Sequence, residues 1–266
     1  MYEEYWGLKI LPFENVPDPD FFYKSEEHGE ALMRLTYAVE RRKGAAMLTG
    51  EVGCGKTALS RFFIQKLLSD EKYEIALVAN RSLGPVDFLK EIIYQFGIDK
   101  TPNSKAELLH LLNDEMLKNL KNGRDSIIII DEAQIIEDVQ TFEELRLLLN
   151  FQLNDRFLLT LVLIGQPELK KKIASIEQLD QRISIRYHLN PFNFDDTARY
   201  IIFRLKKAGL EKNIFTKEAV EKIHDYTKGV PRKINTTCDM SLLVGFGSRA
   251  KVIGSNLVQK VIDDAR

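Results

Sequence analysis

The sequence predicts an α/β fold: a parallel sheet covered by helices on both faces, followed by an all-helical domain. Three observations carry this. Short runs that are apolar throughout, such as "AAMLT", "SIIIID" and "LLTLVLIG", alternate with helical patterns, which is how strands buried on two faces read. A glycine-crowded loop, "GEVGCGKT", stands between the first of these runs and a helical pattern. After Pro191 the strand patterns stop and helical ones continue, which sets a boundary near Asn190. The expected domains are 1–190, an N-terminal arm with the α/β domain, and 191–266, a helical domain.

Each element has a local reason. The opening block ends in "PFENVPDPDFFY", whose prolines and aspartates oppose regular structure while its aromatics favour burial, so an extended arm is expected. Ser25 suits the N-cap of a helix running to about Lys43, with Leu32, Leu35 and Val39 at helical spacing. "AAMLT" is a buried strand, and the helix after the glycine loop carries Leu59, Phe62, Phe63 and Leu67. "EIALVAN" is a second strand. "GPVDFLKEIIYQFG" is a helix with proline in its first turn and glycine at its end. "SKAELLHLLNDEMLKNLKNG" is a long amphipathic helix with its own terminal glycine. "SIIIID" is a strand, "TFEELRLLLNFQ" a helix, "LLTLVLIG" a buried strand and "IRYHL" a short last strand. The four closing helices are "DDTARYIIFRLKKAG", "TKEAVEKIHDYTKG", "PRKINTTCDMSLLVGFG" and "SNLVQKVIDDAR".

Composition narrows the function classes. The 266 residues suffice for one or two domains, and 44% hydrophobic with 29% charged residues is an ordinary globular balance. A net charge of −1 gives no global pull toward nucleic acid or anionic membrane, which argues against a dedicated DNA binder while leaving a local basic patch open. Cys54 and Cys238 form no disulfide framework or metal site, so a reducing compartment is expected. "MYEEYWGLKILPF" lacks the basic segment and apolar run of a secretory signal. The longest apolar-rich run, Phe157 to Gly165, is far short of the roughly 20 residues of a membrane helix. A cytoplasmic protein with no membrane span in this chain is the expectation. His28, His110, His188 and His224 show no ligand spacing and read as structural, and the basic clusters at Arg41 and Lys170 read as solvated helix ends.

The chemistry concentrates in two places. The loop fits G-x-x-x-x-G-K-[ST] as Gly50, Gly55, Lys56 and Thr57. Glycines let successive N–H groups curl around phosphate oxygens, and the following helix directs its positive end at the same anion. Lys56 is placed to reach β- and γ-phosphates, and Thr57 to ligate Mg²⁺. The nucleotide-binding set is therefore Gly50, Glu51, Val52, Gly53, Cys54, Gly55, Lys56, Thr57 and Ala58. The second place is "IIIIDEAQ": a buried strand ending in two acids needs something positive to meet. Asp131 is read as a Mg²⁺ ligand and Glu132 as the general base that polarises the attacking water.

Together, "GEVGCGKT" and "IIIIDEAQ" resemble the AAA+ ATPases. More narrowly, "PFENVPDPDFFY", "LVLIGQPEL", "LDQRISIRYHLNPF" and "GVPRKIN" are similar to the ExeA/GspA-type ATPases of bacterial general secretion, with the pilus-biogenesis ATPase MshM and TnsC-type transposition regulators as nearby relatives. The resemblance runs from about Tyr5 to the end. It implies a P-loop NTPase with a five-stranded parallel sheet of order 5-1-4-3-2 and a C-terminal α-helical lid, using ATP and Mg²⁺. Residue by residue, it implies Gln166 as a polar sensor of the γ-phosphate, Arg232 of "GVPRKIN" as a second sensor on the lid, and Asn80 as a holder of Glu132. It also implies an arginine finger in trans from a neighbouring copy in a ring or filament. Arg182 or Arg186 supplies it, and Arg182, which precedes the last strand, is the better placed to project. Phe13, Phe22 and Tyr23 are candidate adenine walls, with packing of the arm as the alternative.

Secretion-type members continue past the lid into a membrane span and a peptidoglycan-binding part, whereas this chain stops at Arg266, so it is expected to be a truncated ATPase domain or a stand-alone relative. The partner expected is a protein of a secretion or pilus envelope machine, with localisation in the cytoplasm or peripheral to the inner membrane. The alternative is an ATP-dependent regulator of transposition bound to duplex DNA. Cys54 takes a loop position that needs only a small uncharged side chain. With no histidine or second cysteine in the motif, no catalytic thiol is indicated, and its accessibility to reagents stays open.

Overall fold

The computed structural model describes residues 1–16, 18–78, 83–99, 102–154 and 156–265. In chain order the elements are α1 (Glu3–Trp6), α2 (Glu26–Glu40), β1 (Ala45–Gly50), α3 (Lys56–Leu68), β2 (Tyr73–Val78), α4 (Pro85–Gln95), α5 (Lys105–Lys121) and β3 (Asp125–Ile130). They continue with α6 (Val139–Leu148), β4 (Gln152–Leu153), β5 (Arg156–Phe157), β6 (Leu159–Gly165), α7 (Pro167–Ala174), α8 (Glu177–Asp180) and β7 (Ile183–Leu189). The last four are α9 (Phe194–Lys207), α10 (Lys217–Thr227), α11 (Pro231–Gly247) and α12 (Ser255–Asp264). Contacts divide the chain into two compact units. One is Glu26–Glu51 with Leu59–Leu189. The other is Met1–Ser25 with Val52–Ala58 and Asn190–Arg266.

The first unit is built on a parallel sheet of order β2-β3-β6-β1-β7. Counting its five strands along the chain and reading from β7, this is the expected 5-1-4-3-2. The apolar runs explain its double covering. Ala45, Met47, Ile128, Ile130, Leu161 and Leu163 share one core with Phe88 and Leu89 of α4, Leu108 and Leu112 of α5, and Phe142 and Leu145 of α6. Their neighbours Ala46, Leu48, Ile127, Ile129, Val162 and Ile164 are equally buried, and side chains alternate along a strand, so these line the opposite face. There α2 packs on β1 and β7. Truncating a central side chain such as Ile128 to alanine leaves a cavity worth about 2–5 kcal/mol.

Because the strands are parallel, the carboxyl ends of β1, β3 and β6 lie at one edge, with Thr49 level with Gly165 and Ile130 with Leu163. Ligands of open parallel sheets bind at that edge. Elements without a long periodic pattern were not foreseen: the antiparallel pair β4–β5, and α1, α7 and α8. In α7, Pro167 occupies the first turn, where its missing N–H costs nothing.

The second unit has its own core. Tyr2, Trp6, Leu8 and Phe13 are buried with Phe192, Tyr200, Ile201, Leu205, Ile223, Ile234 and Leu242. The sequence reading grouped 1–25 with the α/β domain, but the side chains of that arm pack among the helices of this unit. The Trp6 indole donates to the Leu242 carbonyl at 3.0 Å, Lys9 N–H to the Ala208 carbonyl at 2.8 Å, and the buried Arg204 guanidinium to the carbonyls of Pro12 and Glu14. An irregular segment with exposed N–H and C=O groups can be buried only where such partners exist. The turn after α10 runs through left-handed Lys228 and Gly229, and Phe192 N–H donates to the Gly229 carbonyl at 2.9 Å. A Cβ at Gly229 would collide with the Phe192 backbone, which explains the glycine of "GVPRKIN".

Candidate active site

The glycine loop begins where β1 ends. A Cβ on Gly50 would lie 2.8 Å from the Leu189 carbonyl, so the loop can leave the sheet here only through a residue with no side chain. Gly53 and Gly55 have φ of +84° and +93°, the left-handed region. Between them Cys54 is fully buried, which closes the question of its accessibility. Glu51 and Val52 are exposed, and Thr57 and Ala58 half-buried. Lys56 opens α3 and is 5% exposed. Two left-handed glycines before a helix N-terminus form the kind of N–H cradle that holds an anion, and Lys56 adds a positive charge at that terminus. The residues present therefore fit a phosphate group.

Arg232 reaches the same loop. Its backbone N–H, at the start of α11, donates to the Gly53 carbonyl at 3.2 Å. A Cβ on Gly53 would stand 3.0 Å from both Arg232 Cβ and Val230 Cγ1. The Arg232 side chain itself is exposed.

At the end of β3, Asp131 Oδ1 accepts the Glu132 N–H at 2.9 Å. Asp131 Oδ2 accepts from the Ser60 hydroxyl at 3.5 Å, and Ser60 lies one turn into the helix that Lys56 and Thr57 open. A carboxylate and a threonine hydroxyl are hard oxygen donors of the type Mg²⁺ takes. Glu132 is held at φ +54°, unusual for a side chain of its size and a mark of backbone constraint.

Glu132 Oε2 accepts two amides: Gln134 Nε2 at 2.6 Å and Gln166 Nε2 at 3.3 Å. Gln134 Oε1 in turn accepts the backbone N–H of Gln166 at 2.9 Å. The structure thus brings Glu132 and Gln166 together and adds Gln134, to which the sequence assigned no role. The phrase "DEAQ" was visible, but only the end of β6 fixes where that amide points. Lys172, read as a solvated lysine of "KKK", instead donates to the carbonyls of Gln134 and Ile136 at 2.6 and 2.8 Å, pinning this turn.

The two candidate finger arginines are engaged within the chain. Arg182, just before β7, donates to the Leu149 carbonyl at 2.8 Å, at the end of α6. Arg186 pairs with Asp180 at 2.9 Å and donates to its carbonyl. Asn80 lies outside the described residues. Phe13 and Tyr23 are packed inside the second unit: Phe13 edge-on to Phe215 at 6.2 Å, and Tyr23 against Phe192, Tyr200 and Phe203. His188 and His224 bond Thr49 and Thr197, both at 3.0 Å.

Comparison with known proteins places these residues in context. The family model described as an AAA domain matches residues 39–173. General secretion pathway protein A of Aeromonas hydrophila is 41% identical over 250 residues, 92% of this chain, and the chain spans 45% of that relative's length. Among solved structures, the Aeropyrum pernix ORC2 protein in ADPNP-ADP complexes superposes with a TM-score of 0.67 at 18% identity, over 96% of this chain and 71% of that one. CDC6P from Pyrobaculum aerophilum gives 0.69 at 16%, over 94% and 71%. At such identities these structures speak for the fold alone.

Proposed function

We propose, since the chain belongs to the AAA domain family, that it is a Mg²⁺-dependent ATPase of the general secretion pathway protein A type, acting as an oligomer. The observation that carries the reading is the carboxyl edge of the sheet. There the helix opened by Lys56 and Thr57 meets Asp131 through Ser60, and Glu132 stands beside Gln166.

In this reading the loop N–H groups and the Lys56 ammonium bind the β- and γ-phosphates. The Thr57 hydroxyl and the Asp131 carboxylate would hold Mg²⁺, which when bound neutralises charge on the phosphate oxygens. Glu132 orients a water for attack on the γ-phosphorus and takes its proton as the bond from that phosphorus to the β–γ bridging oxygen breaks; ADP leaves, and the proton passes on with the released phosphate. Gln166 and Arg232 read the γ-phosphate, and Arg182 or Arg186 of a neighbouring copy stabilises the charge that develops. Each of these groups ends the cycle as it began, so the output is conformational, carried by the helical unit on which Arg232 resides.

For the pathway, identity across 92% of the chain to a general secretion protein supports an envelope machine as the protein partner, with the ATPase in the cytoplasm or peripheral to the inner membrane. Among the described residues no helix is long and apolar enough to cross a membrane. A transposition regulator on duplex DNA is the second reading, because TnsC-type regulators are near relatives of the group the chain resembles; the response of the rate to DNA tests it.

Two variants test the ATPase. Lys56→Ala should abolish ATP binding or turnover. Glu132→Gln should keep binding and reduce phosphate release by about 10²–10⁴-fold, the usual worth of a general base. Full activity in Lys56→Ala, measured by nucleotide titration and phosphate release, would reject the assignment.

A further inference from the structure

We propose that Gln134 is a positioning residue for Glu132: one side-chain amide fastens the general base to the end of β6, where Gln166 senses the γ-phosphate. The inference rests on the ATPase reading and adds a residue to it.

The amide is determined from both ends. Its Oε1 faces the Gln166 N–H, which can only donate, at 2.9 Å. Its Nε2 therefore faces the Glu132 carboxylate, which accepts at 2.6 Å. The orientation needs no other assumption. The seat is also made to measure. A Cβ at residue 165 would fall 2.6 Å from Gln134 Oε1, so Gly165 leaves the space the amide occupies. Beneath it, Lys172 holds the Gln134 carbonyl at 2.6 Å.

The arrangement is more than loop packing. A hydrogen bond from a neutral amide to a carboxylate is charge-assisted and directional. Glu132 has a left-handed backbone conformation, and the Gln134 amide fixes the orientation of its carboxyl group from two residues away. The second donor on the same oxygen, Gln166 Nε2, is longer at 3.3 Å. When Gln166 turns to a phosphate oxygen, the short contact from Gln134 stays on the carboxylate and holds its orientation. A base displaced by about 1 Å loses on the order of 10²-fold in rate.

The experiment is a set of steady-state and nucleotide-binding measurements on the whole chain, with thermal melting as the folding control. Gln134→Ala should lower kcat by about 10–100-fold and leave ATP affinity within about twofold, because the residue acts through Glu132 and not on the nucleotide. Gln134→Glu keeps the size and the acceptor for Gln166 N–H but replaces the donor with a carboxylate; it should lose at least as much. In a Glu132→Gln background, Gln134→Ala should change the residual rate by less than about twofold, since the group it positions is gone. Wild-type kcat in Gln134→Ala, a loss of binding in proportion to turnover, or a full further loss in the Glu132→Gln background would each overturn the proposal. If the wild-type chain itself fails to hydrolyse ATP, the ATPase reading falls, and this role with it.

Discussion

Arg182 shows how one side chain can have two appointments. In the single chain it donates to the Leu149 carbonyl at 2.8 Å and so terminates α6, which a lysine, with one rotating ammonium, would do less specifically. A role as finger in trans requires it to exchange that carbonyl for a phosphate on a neighbour. An arginine–phosphate contact joins two opposite charges, whereas the bond it replaces joins a charge to a neutral carbonyl, so the exchange is favourable once the neighbour is present. Arg182→Ala should therefore keep ATP binding and lose most of its turnover, by about 10³-fold for a finger. The Arg182→Ala variant mixed with an excess of Lys56→Ala subunits, which still carry Arg182, should regain rate. If Arg182→Ala turns over at the wild-type rate, Arg186 inherits the assignment.

At the scale of elements, the arm and the helices it packs with are joined by three tyrosines. Burial, and secondarily Asp196, pushes the Tyr23 phenol up to about 12. Burial also raises Tyr2, which bonds Asp239, and Tyr200, which bonds Asn235. The sign follows from linkage: these phenols stay protonated in the fold beyond about pH 10, where unfolded tyrosine ionises. The contribution of Tyr23 is complete below pH 10 and declines as pH rises from there through about 12, and those of Tyr2 and Tyr200 decline in the same direction. The melting temperature should fall between pH 9.5 and 11.5, taken as roughly that linkage window, and less steeply in Tyr23→Phe. Parallel slopes for the two proteins would refute it. This packing is also where the sequence was least legible. The central strands announce themselves because a run such as "SIIIID" has no solvated face, and the glycine loop because no other residue takes its φ values. The arm carries no period, so its destination depends on which surface offers carbonyl partners and aromatic hollows, here α11 through Leu242 and α9 through Tyr200 and Phe203. Gln134 was hidden for the same reason: it is in plain view in "DEAQ", but its meaning depends on β6, some thirty residues later.

At the scale of the whole molecule, the proposed chemistry is unfinished in one copy if the finger comes from another. Turnover per subunit should rise with protein concentration and saturate, and Arg182→Ala should remove that dependence. The net charge of −1 offers no general attraction for DNA, so duplex DNA should leave the rate within about twofold at low and at moderate salt. Strong stimulation that fades with added salt would instead favour the transposition-type reading. The composition of the second unit has a further consequence. It is assembled from Met1–Ser25, Val52–Ala58 and Asn190–Arg266, three passages that are far apart along the chain. The Gly53 carbonyl in the middle passage is bonded by the Arg232 N–H in the last, and the Ala208 carbonyl by the Lys9 N–H in the first. No single stretch of gene encodes that unit. One continuous segment does not contain it, and a change at the start of α11 bears on the phosphate loop directly, through the bond from Arg232 N–H to the Gly53 carbonyl.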